Sequence, residues 1–255
     1  SGWNARVVEH ARTRGLSVMT VGEQGEAIRL VNREPTQLGQ SLTVEHAGQE
    51  RTIDLPLIGA YQVSNALTAA GLALATGTEA SRVWDAVARL QPVRGRLERA
   101  AIAPSGAPIY VDYAHTPDAI AAAVAALRPH VSGRLITVFG AGGDRDHGKR
   151  APMGAAAAKA SDVVIVTDDN PRGEDPADIR RQVLEGAPQA REIGGRREAI
   201  LAAIAEAGAE DIVLVAGKGH ETGQIIGSGD NMRVLPFDDV DVARECVAEI
   251  ARGAA

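Results

Sequence analysis

The sequence predicts an α/β fold, and three observations predict it. From Pro108 onward, unbroken apolar runs of strand length such as "RLITVFG", "DVVIVTD" and "DIVLVAG" alternate with alanine-rich stretches of helical pattern. Strands apolar on both faces and separated by helices imply a mainly parallel sheet covered on both sides, a Rossmann-like arrangement. Residues 17–58 follow a different rhythm, short β-like runs broken by turn residues, which reads as a small antiparallel sheet. With 45% hydrophobic residues in 255, both parts have material for a core.

The elements follow in order. The opening "SGWNARVVEHARTRG" reads as the middle of a helix leading to a strand, and it lacks an initiating methionine, so a piece of a longer polypeptide is expected. Next come "SVMTVG", "AIRLVNRE" and "SLTVEHAGQERTIDLPL", where His46 to Gln49 form a hairpin turn. "SNALTAAGLALATG" (64–77) and "EASRVWDAVARL" (79–90) read as two helices, each closing near a glycine or proline. The charged segment 91–100, broken by Pro92 and Gly95, reads as a linker between domains. Six strands are then read: "IYVDYA", "RLITVFG", "DVVIVTD", "AREI", "DIVLVAG" and "RVLPF".

Composition narrows the function. A net charge of −6 with no lysine or arginine block argues against a nucleic-acid partner. The single cysteine, Cys246, excludes an internal disulfide and suits a reducing compartment, where it reads as a small buried apolar residue. The longest apolar run, 119–127, is too short to span a bilayer, and the first twenty residues lack the segments of a signal peptide. A cytoplasmic protein is expected.

Four loops at strand ends carry the unusual side chains, where open α/β sheets bind ligands. In "VDYAHTPDAI" Thr116 caps a helix, Pro117 suits its first position and Asp118 complements its dipole. Asp112 and His115 stand just before that N-terminus, placed either for an anion such as a nucleotide phosphate or to tie strand to turn. "VFGAGGDRDHGKRAPMG" nearly matches a phosphate loop, but Arg150 stands where Ser or Thr is needed. It also nearly matches a dinucleotide fingerprint, but Arg145 replaces the third glycine. A glycine-rich turn remains, presenting Asp144, Arg145, Asp146, His147, Lys149 and Arg150 as a cluster for a carboxylate or phosphate, its small residues implying close backbone approach.

In "DDNPRGEDPADI" Asp175 and Pro176 start a helix, while Pro171 stiffens the loop and biases Asn170 to extended backbone, fixing where Arg172 points. An arginine fork on a stiff loop suits bidentate recognition of a carboxylate. In "VLVAGKGHETGQ" Gly217 and Gly219 leave backbone bare, Lys218 and His220 add charge, and Glu221 can accept from an ammonium group. His220 has no second ligand at metal-binding spacing, and no G-x-S-x-G occurs, so neither a metal site nor a nucleophilic triad is expected.

Taken in order on successive strands, "DYAHTPDA", "GAGGDRDHGKR", "DDNPR" and "GKGHETGQ" resemble the C-terminal half of a Mur ligase, of the type that adds meso-diaminopimelate. "LIGAYQVSNALTAAGLAL" is similar to the family's central-domain asparagine motif and "VRGRLE" to its interdomain linker. The resemblance implies that 1–95 is the C-terminal part of a central ATPase domain and 96–255 the amino-acid-binding domain. It implies a monomeric ligase using ATP and Mg2+: the D-glutamate carboxylate of UDP-MurNAc-L-Ala-D-Glu is phosphorylated, and the amine of meso-diaminopimelate attacks the acyl phosphate. On matched positions, Asn65 faces the adenine, Arg96 the phosphates and Asp112 the ribose, with Asp112 and His115 as the catalytic pair. Arg145, Asp169, Asn170, Pro171, Arg172, Gly217 and Glu221 match the diaminopimelate site, Arg172 gripping the distal carboxylate that lysine lacks.

The family's phosphate loop, magnesium ligands, carbamylated lysine and UDP-binding domain belong to upstream sequence outside this chain, which alone is expected to be inactive. Tyr61 and Gln62 depart from the family's usual aromatic or histidine followed by asparagine, and His147 and Ala151 replace a basic residue and a proline. The alternatives are a ligase like folylpolyglutamate synthetase, or a non-catalytic amino-acid-binding module.

Overall fold

A computed structural model describes residues 2–36 and 38–253. The chain divides into two compact units, Ser1–Gln91 and Pro92–Ala255, a division inside the 91–100 segment.

The first unit holds α1 (Gly2–Thr13), then β1 (Val21–Gly22), β2 (Ile28–Thr36), β3 (Gly39–His46) and β4 (Gln49–Leu55), followed by α2 (Ala60–Ala75) and α3 (Ala80–Val87). The strands lie in the order β1-β2-β3-β4; β1 joins β2 in parallel and the remaining pairs are antiparallel. His46 pairs with Gln49 across Ala47 and Gly48, both at positive φ, so the expected hairpin closes in a two-residue turn. One face of the sheet packs Ile28, Leu42, Val44 and Leu55 against Val63, Leu67 and Trp84 of the helices. Helix α2 starts at Ala60 rather than at the expected Ser64: Gly59, at φ 97°, ends the extended chain, and starting there lets Val63 join the buried face. Helix α1 buries no residue.

The second unit holds β5 (Glu98–Ile102), β6 (Pro108–Asp112), α4 (Pro117–Leu127), β7 (Leu135–Phe139), α5 (Arg150–Ala160), β8 (Val163–Val166), α6 (Pro176–Leu184), β9 (Arg191–Glu192), α7 (Arg196–Glu206) and β10 (Ile212–Ala216). It ends with β11 (Gly223–Ile226), β12 (Arg233–Pro236) and α8 (Asp239–Gly253). The six-stranded sheet runs β5-β6-β10-β7-β8-β9, parallel except for the antiparallel edge strand β5. Strands β7 and β10 are buried at every residue, as their unbroken apolar runs require.

Two strand expectations need correction. Strand β5 starts at Glu98, inside the segment 91–100 that the sequence reads as linker, because an edge strand needs only one paired side and tolerates charge. "RVLPF" contributes β12, yet it pairs with β11 in a separate two-stranded ribbon and not with the main sheet. Its four residues are all exposed, so no apolar face draws it inward.

The register places the functional loops. Ala216 lies opposite both Asp112 and Phe139, and Phe139 opposite Val166, so β6, β10, β7 and β8 end at one edge of the sheet. The helices that follow begin as expected: Thr116 accepts from the Ala119 N–H and Asp175 from the Ala177 N–H. Among the described residues, no helix is long and apolar enough to cross a membrane.

Candidate amino-acid-binding site

Between these loops lies a cavity of about 280 Å³ lined by Tyr113, His115, Arg145, Lys149, Asp169, Arg172 and Glu221, with the bare backbone of Gly140, Gly142 and Gly217. It sits entirely in the second unit.

At the end of β6, Asp112 is buried and accepts from the Leu97 N–H at 2.8 Å. Burial pushes its carboxyl above the usual range, against the pull of the Leu97 and Ala114 N–H groups and Arg96. One carboxylate oxygen therefore serves as the tie between strand and turn. His115 is exposed; because a carbonyl only accepts, its Nδ1–H donates to Tyr113 O at 2.8 Å, leaving Nε2 free of that bond. Tyr113 is the centre of a stack, with Arg96 4.8 Å from its ring centroid and His115 and His220 at 4.6 and 4.9 Å. Lys149 Nζ donates to His115 O at 3.1 Å. Arg96, His115 and Lys149 thus gather beside the N-terminus of α4, a basic setting suited to phosphate.

The glycine-rich turn is explained by its neighbour loop. The Gly143 N–H donates to Asn170 O at 2.9 Å, and a Cβ on Gly140 or Gly143 would collide with the carbonyl of Thr167 or Pro171. What approaches these glycines closely is backbone of residues 167–171.

Arg150 departs from the expected cluster. It is fully buried at the start of α5, where its two terminal nitrogens grip Glu174 at 2.8 Å each and also reach Gln182 Oε1 and Gly142 O. It cannot hold a ligand, because all its reachable acceptors belong to the protein. Arg150 lowers the Glu174 carboxyl to about 2. Glu174 also accepts from the Asp144 N–H, and Asp144 from the Gly173 N–H, so the two loops are laced together.

Arg172, half-buried, takes φ 53°, a left-handed conformation that costs a non-glycine residue about 1 kcal/mol. Its N–H donates to Ile225 O at 3.0 Å, which holds that turn in place. Its Nη1 donates to Gly143 O at 2.9 Å and Asn170 O at 3.3 Å, which leaves the rest of the fork for the cavity. Asp169 is buried and accepts from the Asn170 N–H at 2.7 Å. Gly217, at φ 122°, lies so close to Asp169 Oδ2 that a Cβ would meet it at 2.7 Å. Glu221 keeps its side chain one third exposed to the cavity. Although burial alone raises its pKa, Asn170, Lys218 and Arg172 together hold it below the usual range.

Of the expected residues of the second unit, His115, Arg145, Asp169, Asn170, Arg172, Gly217 and Glu221 line the cavity, whereas Arg96, Asp112 and Pro171 do not. Asn65 belongs to the first unit, exposed on α2, its amide donating to Gln62. The sequence reading passed over Tyr113, whose signal was an aromatic ring directly after a buried strand. Among the described residues, no cluster of three acidic, histidine or cysteine side chains is arranged to hold a metal.

Two family models match: the Mur ligase middle domain over residues 2–73, and the Mur ligase glutamate ligase domain over residues 95–219. Together they take in most of the chain. The chain belongs to the Mur ligase family. A relative from Zymomonas mobilis, named UDP-N-acetylmuramoyl-L-alanyl-D-glutamate–2,6-diaminopimelate ligase, is 62% identical over 94% of this chain and 50% of its own length. One of the same name from Caulobacter vibrioides is 55% identical over 90% and 46%. A solved structure bearing that ligase name superimposes with a TM-score of 0.71 at 34% identity, over 95% of this chain and 50% of its own. A folylpolyglutamate synthase from Mycobacterium tuberculosis, solved with ADP and AMPPCP, shares the fold at 24% identity and a TM-score of 0.62. This Mur ligase chain thus spans about half the length of the curated relatives it matches. The family consists of ATP-dependent ligases that form carbon–nitrogen bonds.

Proposed function

We propose that this chain is the amino-acid-selecting half of a ligase that adds meso-diaminopimelate to UDP-MurNAc-L-Ala-D-Glu, acting as a monomer in the cytoplasm. The observation that carries the reading is the pairing, in one small cavity, of a guanidinium anchored by a single nitrogen with an ionised carboxylate. Such a site matches an amino acid bearing a charged group at each end.

In this reading Arg172 receives the distal carboxylate, and Pro171 and the Ile225 carbonyl hold it there. Arg145 reaches the same carboxylate from the neighbouring loop. Glu221 and Asp169 receive ammonium, and Gly217 lets the ligand lie against bare backbone. Lysine lacks the distal carboxylate and would leave Arg172 unpaired, a large penalty in a closed site. ATP, when bound, activates the substrate carboxylate for attack. Toward it, Arg96 and Lys149 supply positive charge, Asp112 orients the strand-to-helix turn, and His115 presents Nε2 as a proton acceptor. Asn65 would meet the adenine. Magnesium would neutralise phosphate charge, its ligands supplied from outside this chain.

The test is calorimetric titration of the chain with meso-diaminopimelate and, separately, L-lysine. Heat with diaminopimelate alone, abolished by Arg172→Ala, is expected. Equal affinity for lysine would overturn the role of Arg172. Silence with both, repeated on a polypeptide extended to the length of the relatives, would overturn the ligand assignment.

A further inference from the structure

Lys218 is fully buried in the turn after β10, so it cannot touch a ligand. Its ammonium group has three protons and finds three acceptors: Gly223 O at 2.6 Å, Asn170 Oδ1 at 3.0 Å and Glu221 Oε2 at 3.2 Å. An ammonium cannot accept, so the amide atom facing it must be oxygen. The Ile225 N–H confirms that orientation by donating to the same Oδ1 at 2.9 Å. The amide nitrogen of Asn170 is thereby turned to Glu221 Oε2, to which it donates at 2.8 Å. One carboxylate oxygen is doubly held, and the other remains for the cavity.

We propose that Lys218 is a positioning residue which, through Asn170, locks the Glu221 carboxylate in the one orientation that receives the ligand's ammonium group. The proposal rests on the amino-acid-binding reading above. A purely structural role explains it less well. A buried ion pair is weak evidence for stability and is often replaceable by apolar residues. Here, moreover, the buried cation ends on a carboxylate that lines the cavity and on the loop that carries Arg172. The other charged groups facing Glu221 are Arg172 from that loop and Arg196 from α7, the latter paired with Asp239 and close to Asp169.

The chain has three lysines, Lys149, Lys159 and Lys218, so their ammonium NMR signals separate readily. In the native chain the Lys218 Nζ protons are expected to exchange slowly, and the Glu221 carboxyl carbon to titrate below the ordinary value. Exchange as fast as that of exposed Lys159 would overturn the proposal without any variant. In Lys218→Met the Glu221 titration is expected to move up by more than one pH unit, and meso-diaminopimelate to bind at least tenfold more weakly. A folded Lys218→Met chain with unchanged Glu221 titration and affinity within twofold would overturn it; a lowered melting temperature alone would indicate a structural role and overturn it equally. If the native chain ignores diaminopimelate, the functional reading fails, while the exchange and titration measurements still decide the role of Lys218.

Discussion

Arg145 and Arg172 reach one cavity from adjacent loops, yet they are held differently. Arg145 is exposed, and among the described residues its side chain bonds only the carbonyl of its own neighbour, Asp144, at 3.2 Å. Arg172 is half-buried in a left-handed turn, bound through its N–H to Ile225 and through Nη1 to two carbonyls. The first must lose rotamer freedom when a ligand arrives; the second has already lost it. In the proposed reading, preorganisation, more than charge, distinguishes the selector Arg172 from the auxiliary contact Arg145.

That contrast can be broken by substitution. Arg172→Ala should cost about 4 kcal/mol of diaminopimelate affinity, close to a thousandfold, as expected when one partner of a buried charge pair is removed. Arg172→Lys should recover little of it, because a point charge cannot bond the Gly143 carbonyl and a carboxylate together; calorimetry reads both.

Next in size is the knot that supports the selector. Glu174→Ala strands fully buried Arg150 and should destabilise the chain by about 3 kcal/mol in urea unfolding. Its pH dependence has a definite sign. The folded carboxyl sits at about 2 against an ordinary 4.5, so its contribution is complete above about 4.5 and fades as the pH falls toward 2. The stability gap between the native chain and Glu174→Gln should therefore narrow across that interval.

Smaller effects sharpen the comparison. Arg172→Gly should be more stable than Arg172→Ala by about 1 kcal/mol, since only glycine takes φ 53° without strain, while both lose the ligand. Arg145→Ala should weaken binding less than tenfold and leave unfolding unchanged within about 0.5 kcal/mol. A larger loss at Arg145 than at Arg172 would reverse the assignment.

Arg145, Lys149 and Arg150 illustrate how much of the site was legible. All three stand in "GDRDHGKR" and read alike as ligand-binding cations. Only burial separates them: Arg150 is inside, tied to Glu174 and Gln182, while Arg145 and Lys149 line the cavity. Lys218 was visible as a charge between two glycines, and its enclosure was not. The glycines were read correctly as points of close approach, but the approaching group is the chain itself at 167–171.

By itself the sequence determined the parallel strands, the helix starts at Thr116 and Asp175, the hairpin at Ala47–Gly48 and the gathering of four polar loops at strand ends. These follow from hydrophobic period, capping and turn chemistry, which act over a few residues. Tertiary structure alone decided that β10 lies between β6 and β7, that β12 leaves the main sheet, and which cations line the cavity. The physical reason is distance along the chain. Glu174, which grips Arg150, and Asn170, which binds Lys218, stand 24 and 48 residues away from them, and no local pattern encodes a partner that only folding brings near.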